Sequence, residues 1–145
     1  MTTNQTAAGT GYGYTVSRVV DAPVDKVWAV WTQDKHYEGV FHAQPGSVRL
    51  DVRPGGAWRA VMVTPDGGEH PLTGTYREVV ENRRLVTAMD IPGREPTPMV
   101  MDLIDLGGKT RIVLSQVCET SEERDQAKEG SEVLLQWCDE YLATV

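Results

Sequence analysis

No stretch of this 145-residue chain holds the roughly 20 consecutive apolar residues needed to cross a bilayer as a helix. Its first residues have neither the basic start nor the apolar run of a secretory signal. These two features together predict a cytoplasmic protein. Cysteine is scarce as well: Cys118 and Cys138 are too few for a disulfide framework, and their spacing fits no zinc pattern. Both fall in apolar-periodic segments, where a free thiol packs like a small hydrophobe. Positive charge is in deficit, with 14 basic against 21 acidic residues and a net charge of -7. Such a surface repels phosphate backbones and anionic headgroups, so neither nucleic acid nor a membrane surface is an expected partner. The chain carries no phosphate loop, dinucleotide fingerprint, His-Glu-x-x-His pair or nucleophile elbow, so no cofactor or metal is expected. The glycine pairs Gly55-Gly56 and Gly67-Gly68 read as hairpin punctuation rather than phosphate cradles.

What remains is ordinary globular material, 40% hydrophobic and 24% charged, in a length that suits one core. Met1 to Gly11 is rich in Thr, Asn, Gln, Ala and Gly and is expected to be a disordered tail, leaving residues 12–145 as a single domain. From Tyr12 the pattern alternates, with Tyr14, Val16, Arg18 and Val20 on one face of a strand. Pro23 to Thr32 then spaces Val24, Val27, Trp28 and Trp31 as a helix does, with Pro23 in its first turn. Asp34 to Val40 predicts a second short helix, weakened by Gly39.

Strand signals follow at Val48 to Val52, Ala57 to Thr64, Leu72 to Val80, Leu85 to Met89, Met99 to Leu106 and Thr110 to Glu119. Short strands joined by tight turns, with no helix between them, predict an antiparallel meander. Ser121 to Ala143 lacks proline and predicts a helix capped at Ser121, about 34 Å long. Val133, Leu134, Trp137, Cys138, Tyr141 and Leu142 give it a broad apolar stripe. Its one large partner is the concave face of the sheet. The fold class is therefore α+β: a curved antiparallel sheet of six to seven strands around a long C-terminal helix, with two short helices after the first strand.

That order resembles the START-like superfamily, also called SRPBCC, whose architecture is the helix-grip fold. Arg18-Val19-Val20-Asp21-Ala22-Pro23 leading into Val27-Trp28 is similar to the opening of one family within it. This is the family named for the activator of the 90-kDa heat-shock chaperone's ATPase. Asp51-Val52-Arg53-Pro54-Gly55-Gly56-Ala57-Trp58, Pro65-Asp66-Gly67, Gly74-Thr75-Tyr76-Arg77-Glu78-Val79, Arg84-Leu85-Val86 and Gly107-Gly108-Lys109-Thr110 continue the likeness in order. Two stretches depart from it. A tryptophan-rich segment usually follows the first helix, where this chain has His36-Tyr37-Glu38-Gly39-Val40-Phe41-His42. A Gly-Trp pair is common in the last helix, where this chain has Gly130-Ser131.

The resemblance implies a cavity between sheet and helix that binds a small, largely apolar or aromatic molecule. It also implies cofactor-free acid/base chemistry such as cyclisation, dehydration or hydrolysis. In that case His36 or His42 is the candidate base and Tyr37 the hydrogen-bond donor. The alternative for both histidines is a plain surface loop. Candidate ligand-binding residues are Trp28, Trp31, Phe41, Trp58, Met62, Tyr76, Met101, Leu103, Gln116, Leu134 and Trp137, each of which could equally be core. Gln116 shares a face with Ile112, Leu114 and Cys118, so on a concave face its amide would need a partner. Asp102 faces the other way from Met101 and Leu103. A homodimer is left open. The family name implies a second function, a protein-interaction module regulating a chaperone ATPase.

Overall fold

The first strand of the chain pairs with the last, so a meander that begins at the second strand ends against the first. The computed structural model describes residues 11–145, and the tail expected over Met1 to Gly11 lies, but for Gly11, outside the described residues. The elements are β1 (Tyr12–Val20), α1 (Val24–Thr32), α2 (Asp34–Val40), β2 (Arg49–Leu50) and β3 (Ala57–Val63). There follow β4 (Glu69–Val80), β5 (Arg84–Met89), β6 (Pro98–Asp105), β7 (Thr110–Cys118) and α3 (Ser121–Leu142). One seven-stranded sheet runs β1-β7-β6-β5-β4-β3-β2, antiparallel throughout. This is the helix-grip arrangement that the sequence predicts. No helix among the described residues is long and apolar enough to cross a membrane.

Alternation in β1 buries Tyr14, Val16 and Val20, while Arg18 on the same face reaches out to Asp139 of α3 at 2.7 Å. That pair is too exposed to contribute much to stability. In β4 the inward residues are Leu72, Gly74 and Tyr76 until a bulge between Tyr76 and Glu78 shifts the register, after which Val79 packs inward. An extra residue of this kind bends a strand and strengthens its twist, which curves the sheet around its contents. Gly74 is required where it stands. A Cβ there would lie 2.1 Å from the Ala88 carbonyl and 2.6 Å from the Trp58 indole.

The N-caps of α1 and α3 differ from the expectation by one residue, whereas α2 spans the expected Asp34–Val40. Pro23 is the N-cap of α1 rather than part of its first turn. Thr120, not Ser121, caps α3: its hydroxyl accepts from the Glu123 amide at 3.1 Å, and the Glu123 carboxylate accepts from the Glu119 amide at 2.9 Å. The inward row of α3 also differs from the expected stripe. Its buried residues are Ser131, Leu135, Cys138 and Leu142, whereas Leu134, Trp137 and Tyr141 are half-buried and Val133 is exposed. Leu135 fits the helical period of Cys138 and Leu142, but it stands beside Leu134, and the expected stripe took Leu134 in its place. Ser131 is polar, so it breaks the apolar pattern from which the row would be read.

Both cysteines are buried free thiols. Burial pushes the Cys138 thiol up to about 11, with a smaller opposing influence from the Trp31 indole, and burial likewise raises Cys118. Both are packing groups rather than nucleophiles. Among the described residues, no group of three or more His, Cys, Asp or Glu side chains is placed to hold a metal ion.

Candidate functional site

α3 lies over β1 and β7 and touches α2, so the concave face of the middle strands is not covered by the helix. That offset leaves a cavity of about 640 Å³ between the sheet, α3 and the two short helices. Trp31 of α1, Tyr37 of α2 and Phe41 just beyond it form one wall. Trp58 and Met62 of β3, Leu72 of β4, Thr87 and Met89 of β5, Met99 of β6 and Gln116 of β7 form the sheet side. Gln126, Ala127, Glu129, Gly130, Ser131, Val133, Leu134 and Trp137 come from α3, and Thr97 from the β5–β6 connection. Among the described residues the wall is mostly apolar and holds no Lys, Arg or His; its one formally charged side chain, Glu129, is exposed.

Aromatic contacts fix the short-helix wall. The Phe41 ring sits 4.9 Å from that of Trp31 and 4.5 Å from that of Tyr37, tilted in both cases. Edge-to-face arrangements of this kind are favoured by the ring quadrupoles. Behind them is a recess of about 30 Å³ that shares Trp31, Tyr37, Trp58, Thr87 and Met99 with the main cavity and adds Tyr76, Leu85 and Met101. Burial pushes the Tyr37 hydroxyl up to about 12. It also raises Tyr76, with smaller contributions from Tyr37, Asp34 and Asp51.

One end of the cavity is closed by a polar chain. The Tyr14 hydroxyl donates to Gln116 Oε1 at 3.0 Å and lies 2.8 Å from Ser131 Oγ. Tyrosine has a single hydroxyl proton, so Ser131 is the donor to Tyr14. Gln116 Nε2 then donates to the Thr97 carbonyl at 3.0 Å. The inward amide that needed a partner has two. Burial raises the Tyr14 hydroxyl, and the Ser131 hydrogen bond opposes this. Arg94 ties the same connection to the helix start through Glu123 and, at 3.5 Å, Glu119.

Of the residues expected at the site, Trp31, Tyr37, Phe41, Trp58, Met62, Gln116, Leu134 and Trp137 border the main cavity. Tyr76 and Met101 border only the recess. Trp28 is half-buried against the core, and Leu103 faces a separate groove with Val24, Asn82 and Asp105, so neither belongs to the wall. The stretch from His36 to His42 divides in two. Tyr37 and Phe41 turn inward, while His36 Nδ1 meets the Tyr141 hydroxyl at 2.8 Å. His42, exposed and with φ of 55°, has its ring 4.2 Å from that of Trp137 and is not among the cavity-lining residues. Gly39 fits against Tyr141, where a Cβ would come within 2.7 Å of Cε1. The imidazoles thus fasten the α2–α3 junction instead of entering the cavity. Ser131 and Thr87 were missed, both being small polar residues at inward positions; the Gly130-Ser131 departure was the one available signal for the first.

Solved structures share this fold. A protein from Nitrosomonas europaea superposes with a TM-score of 0.76 at 22% identity, over 92% of this chain and 95% of its own. The AHSA1-like protein from Aeromonas hydrophila gives 0.74 at 23% identity, over 90% and 93%. CalU16 from Micromonospora echinospora gives 0.72 at 20% identity, over 90% and 76%. No curated protein matches the chain in sequence. The family model described as activator of Hsp90 ATPase homolog 1-like protein matches residues 21–143. With most of its length matched by that model and its whole architecture shared with such structures, this chain belongs to the AHSA1-like family.

Proposed function

We propose that this protein binds a small, largely apolar organic molecule in the cavity between the sheet and α3. The observation that carries the reading is the cavity itself, about 640 Å³ with a mostly apolar wall that includes five aromatic and three methionine side chains. Ligand sites of this kind are concave and apolar with a few placed polar groups, and methionine adapts to varied shapes. Trp31, Tyr37, Phe41, Trp58, Met62, Gln116, Leu134 and Trp137 are the proposed contacts, with Tyr76 and Met101 at the inner end. Exposed Met89 and Val133 on the rim suit the passage of an apolar guest. Binding, rather than turnover, is what this wall supports, because its titratable groups are Tyr37 and an exposed Glu129. The chaperone-regulator alternative draws on the family name and on no surface feature of the described residues.

The test is a titration with the neutral dye Nile red, comparing the parent with Gly130→Leu. Gly130 lines the cavity, and a Cβ there meets nothing within 4 Å, so leucine would project into open space. It also replaces a poor helix former, which favours α3 by up to about 1 kcal/mol. A saturable rise in emission is expected for the parent, with affinity at least about fivefold weaker in the variant and no loss of melting temperature. Absence of saturable binding, or equal affinity in a folded variant, would overturn the reading.

A further inference from the structure

We propose, building on the ligand-binding reading, that the cavity selects an uncharged aromatic molecule bearing a carbonyl or hydroxyl oxygen, with that oxygen seated at the neck between Tyr37 and Thr87. The neck is where the main cavity meets the recess, and both residues border both spaces. Neither hydroxyl has a hydrogen-bond partner among the described residues, and neither is sealed from solvent-sized contact as the Trp58 indole nitrogen is. This sets them apart from the other polar end of the cavity, where Ser131, Tyr14, Gln116 and Thr97 satisfy one another. A purely apolar guest would strand the two neck hydroxyls away from water, and an unpaired buried hydroxyl is costly. A guest oxygen removes that cost. The recess, at about 30 Å³, is far smaller than the main cavity, so it takes a small group of the guest and leaves the bulk of the guest in the larger space.

Charge is decided by the wall as a whole. Among the described residues no cationic side chain lines the cavity, Glu129 stands on it, and the protein carries a net charge of -7. A carboxylate guest would be desolvated without a counter-ion and repelled on approach. Tyr37 stays protonated across the working pH range because burial lifts it to about 12, so it remains a donor.

Three probes of one shape separate these features: 2-acetylnaphthalene, 2-ethylnaphthalene and 2-naphthoate, each followed by quenching of tryptophan fluorescence. The ketone is expected to bind about fivefold or more tightly than the ethyl compound, the scale of one satisfied hydrogen bond. The naphthoate is expected to bind at least tenfold more weakly than the ketone. In Tyr37→Phe the ketone-to-ethyl ratio should fall below about twofold, and Thr87→Val reports the same ratio from the opposite side of the neck, with melts confirming the fold of each. Equal binding of ketone and ethyl compound, tight binding of the naphthoate, or an unchanged ratio in both folded variants would overturn the oxygen-at-the-neck assignment while leaving the cavity a ligand site. If none of the three probes binds, the ligand-binding reading falls and this assignment falls with it.

Discussion

Ser131, midway along α3, holds its hydroxyl 2.8 Å from that of Tyr14 on β1, and the Tyr14 hydroxyl donates a hydrogen bond to Gln116 Oε1 on β7. Two hydrogen bonds thus tie the first strand of the chain to its last strand and last helix. Tyr14→Phe removes the middle member and leaves Gln116 Oε1 and Ser131 without their partner. A loss of about 1–3 kcal/mol is expected in urea unfolding, the penalty for unsatisfied buried polar groups. A double-mutant cycle with Ser131→Ala should show coupling of about 0.5 kcal/mol or more. Additive single losses would mean that the two hydroxyls act independently.

Alkaline pH should weaken the fold through Tyr37. Its folded pKa of about 12 exceeds the ordinary tyrosine value of 10.0, so the unfolded chain releases this proton first. Stability from this group is complete below pH 10 and declines as the pH rises through 12, by roughly 1.4 kcal/mol per pH unit at most. Tyr37→Phe should therefore lose less melting temperature than the parent between pH 9 and pH 11. Identical pH profiles would place the hydroxyl in contact with bulk water.

The corrected inward row of α3 makes a paired prediction. Leu135 is 2% exposed and Val133 is 37% exposed. Leu135→Ala should cost about 2–5 kcal/mol. Val133→Ala should stay within about 0.5 kcal/mol, as surface changes do. Comparable losses would restore the stripe centred on Val133 and Leu134.

The two imidazoles separate from the cavity chemistry in the same way. His36→Ala and His42→Ala should leave Nile red affinity within about twofold, because neither ring borders the cavity. Gly39→Ala should instead lower the melting temperature, since its new methyl meets the Tyr141 ring. A tenfold loss of affinity in either histidine variant would bring the imidazoles back to the site.

Much of the architecture was legible because hydrophobic period and turn chemistry agree along the chain. β3, β5, β6 and β7 each lie within one or two residues of their alternating segments. β2 is shorter than its expected segment, although Val48, Leu50 and Val52 alternate. Just before it Ser47 Oγ accepts from the Val61 amide at 3.1 Å, so a side chain takes the place of a ladder partner there. β4 begins earlier than expected, at Glu69, because its register against Val63 and Met62 carries even Pro71 into the pairing. The aromatic half of the cavity wall followed from the apolar pattern. Of its polar members Gln116 was expected and Thr87 and Ser131 were not: a serine on a helix or a threonine on a strand carries no periodic signal, and only the curvature of the sheet decides that they face enclosed space.

The pairing of β1 with β7 also sets a timetable for synthesis. Tyr12 finds its partner in Cys118, and α3 is still to come after that. While the ribosome is adding residues at about 5–20 per second, the inward face of β1 waits for seconds with nothing to cover it. Its contacts are also the most distant in the chain, which slows closure once the partner arrives. Nascent chains of this protein should therefore stay chaperone-accessible until the final helix emerges, and a message truncated before Ser121 yields a sheet with an open concave face that quality control can recognise.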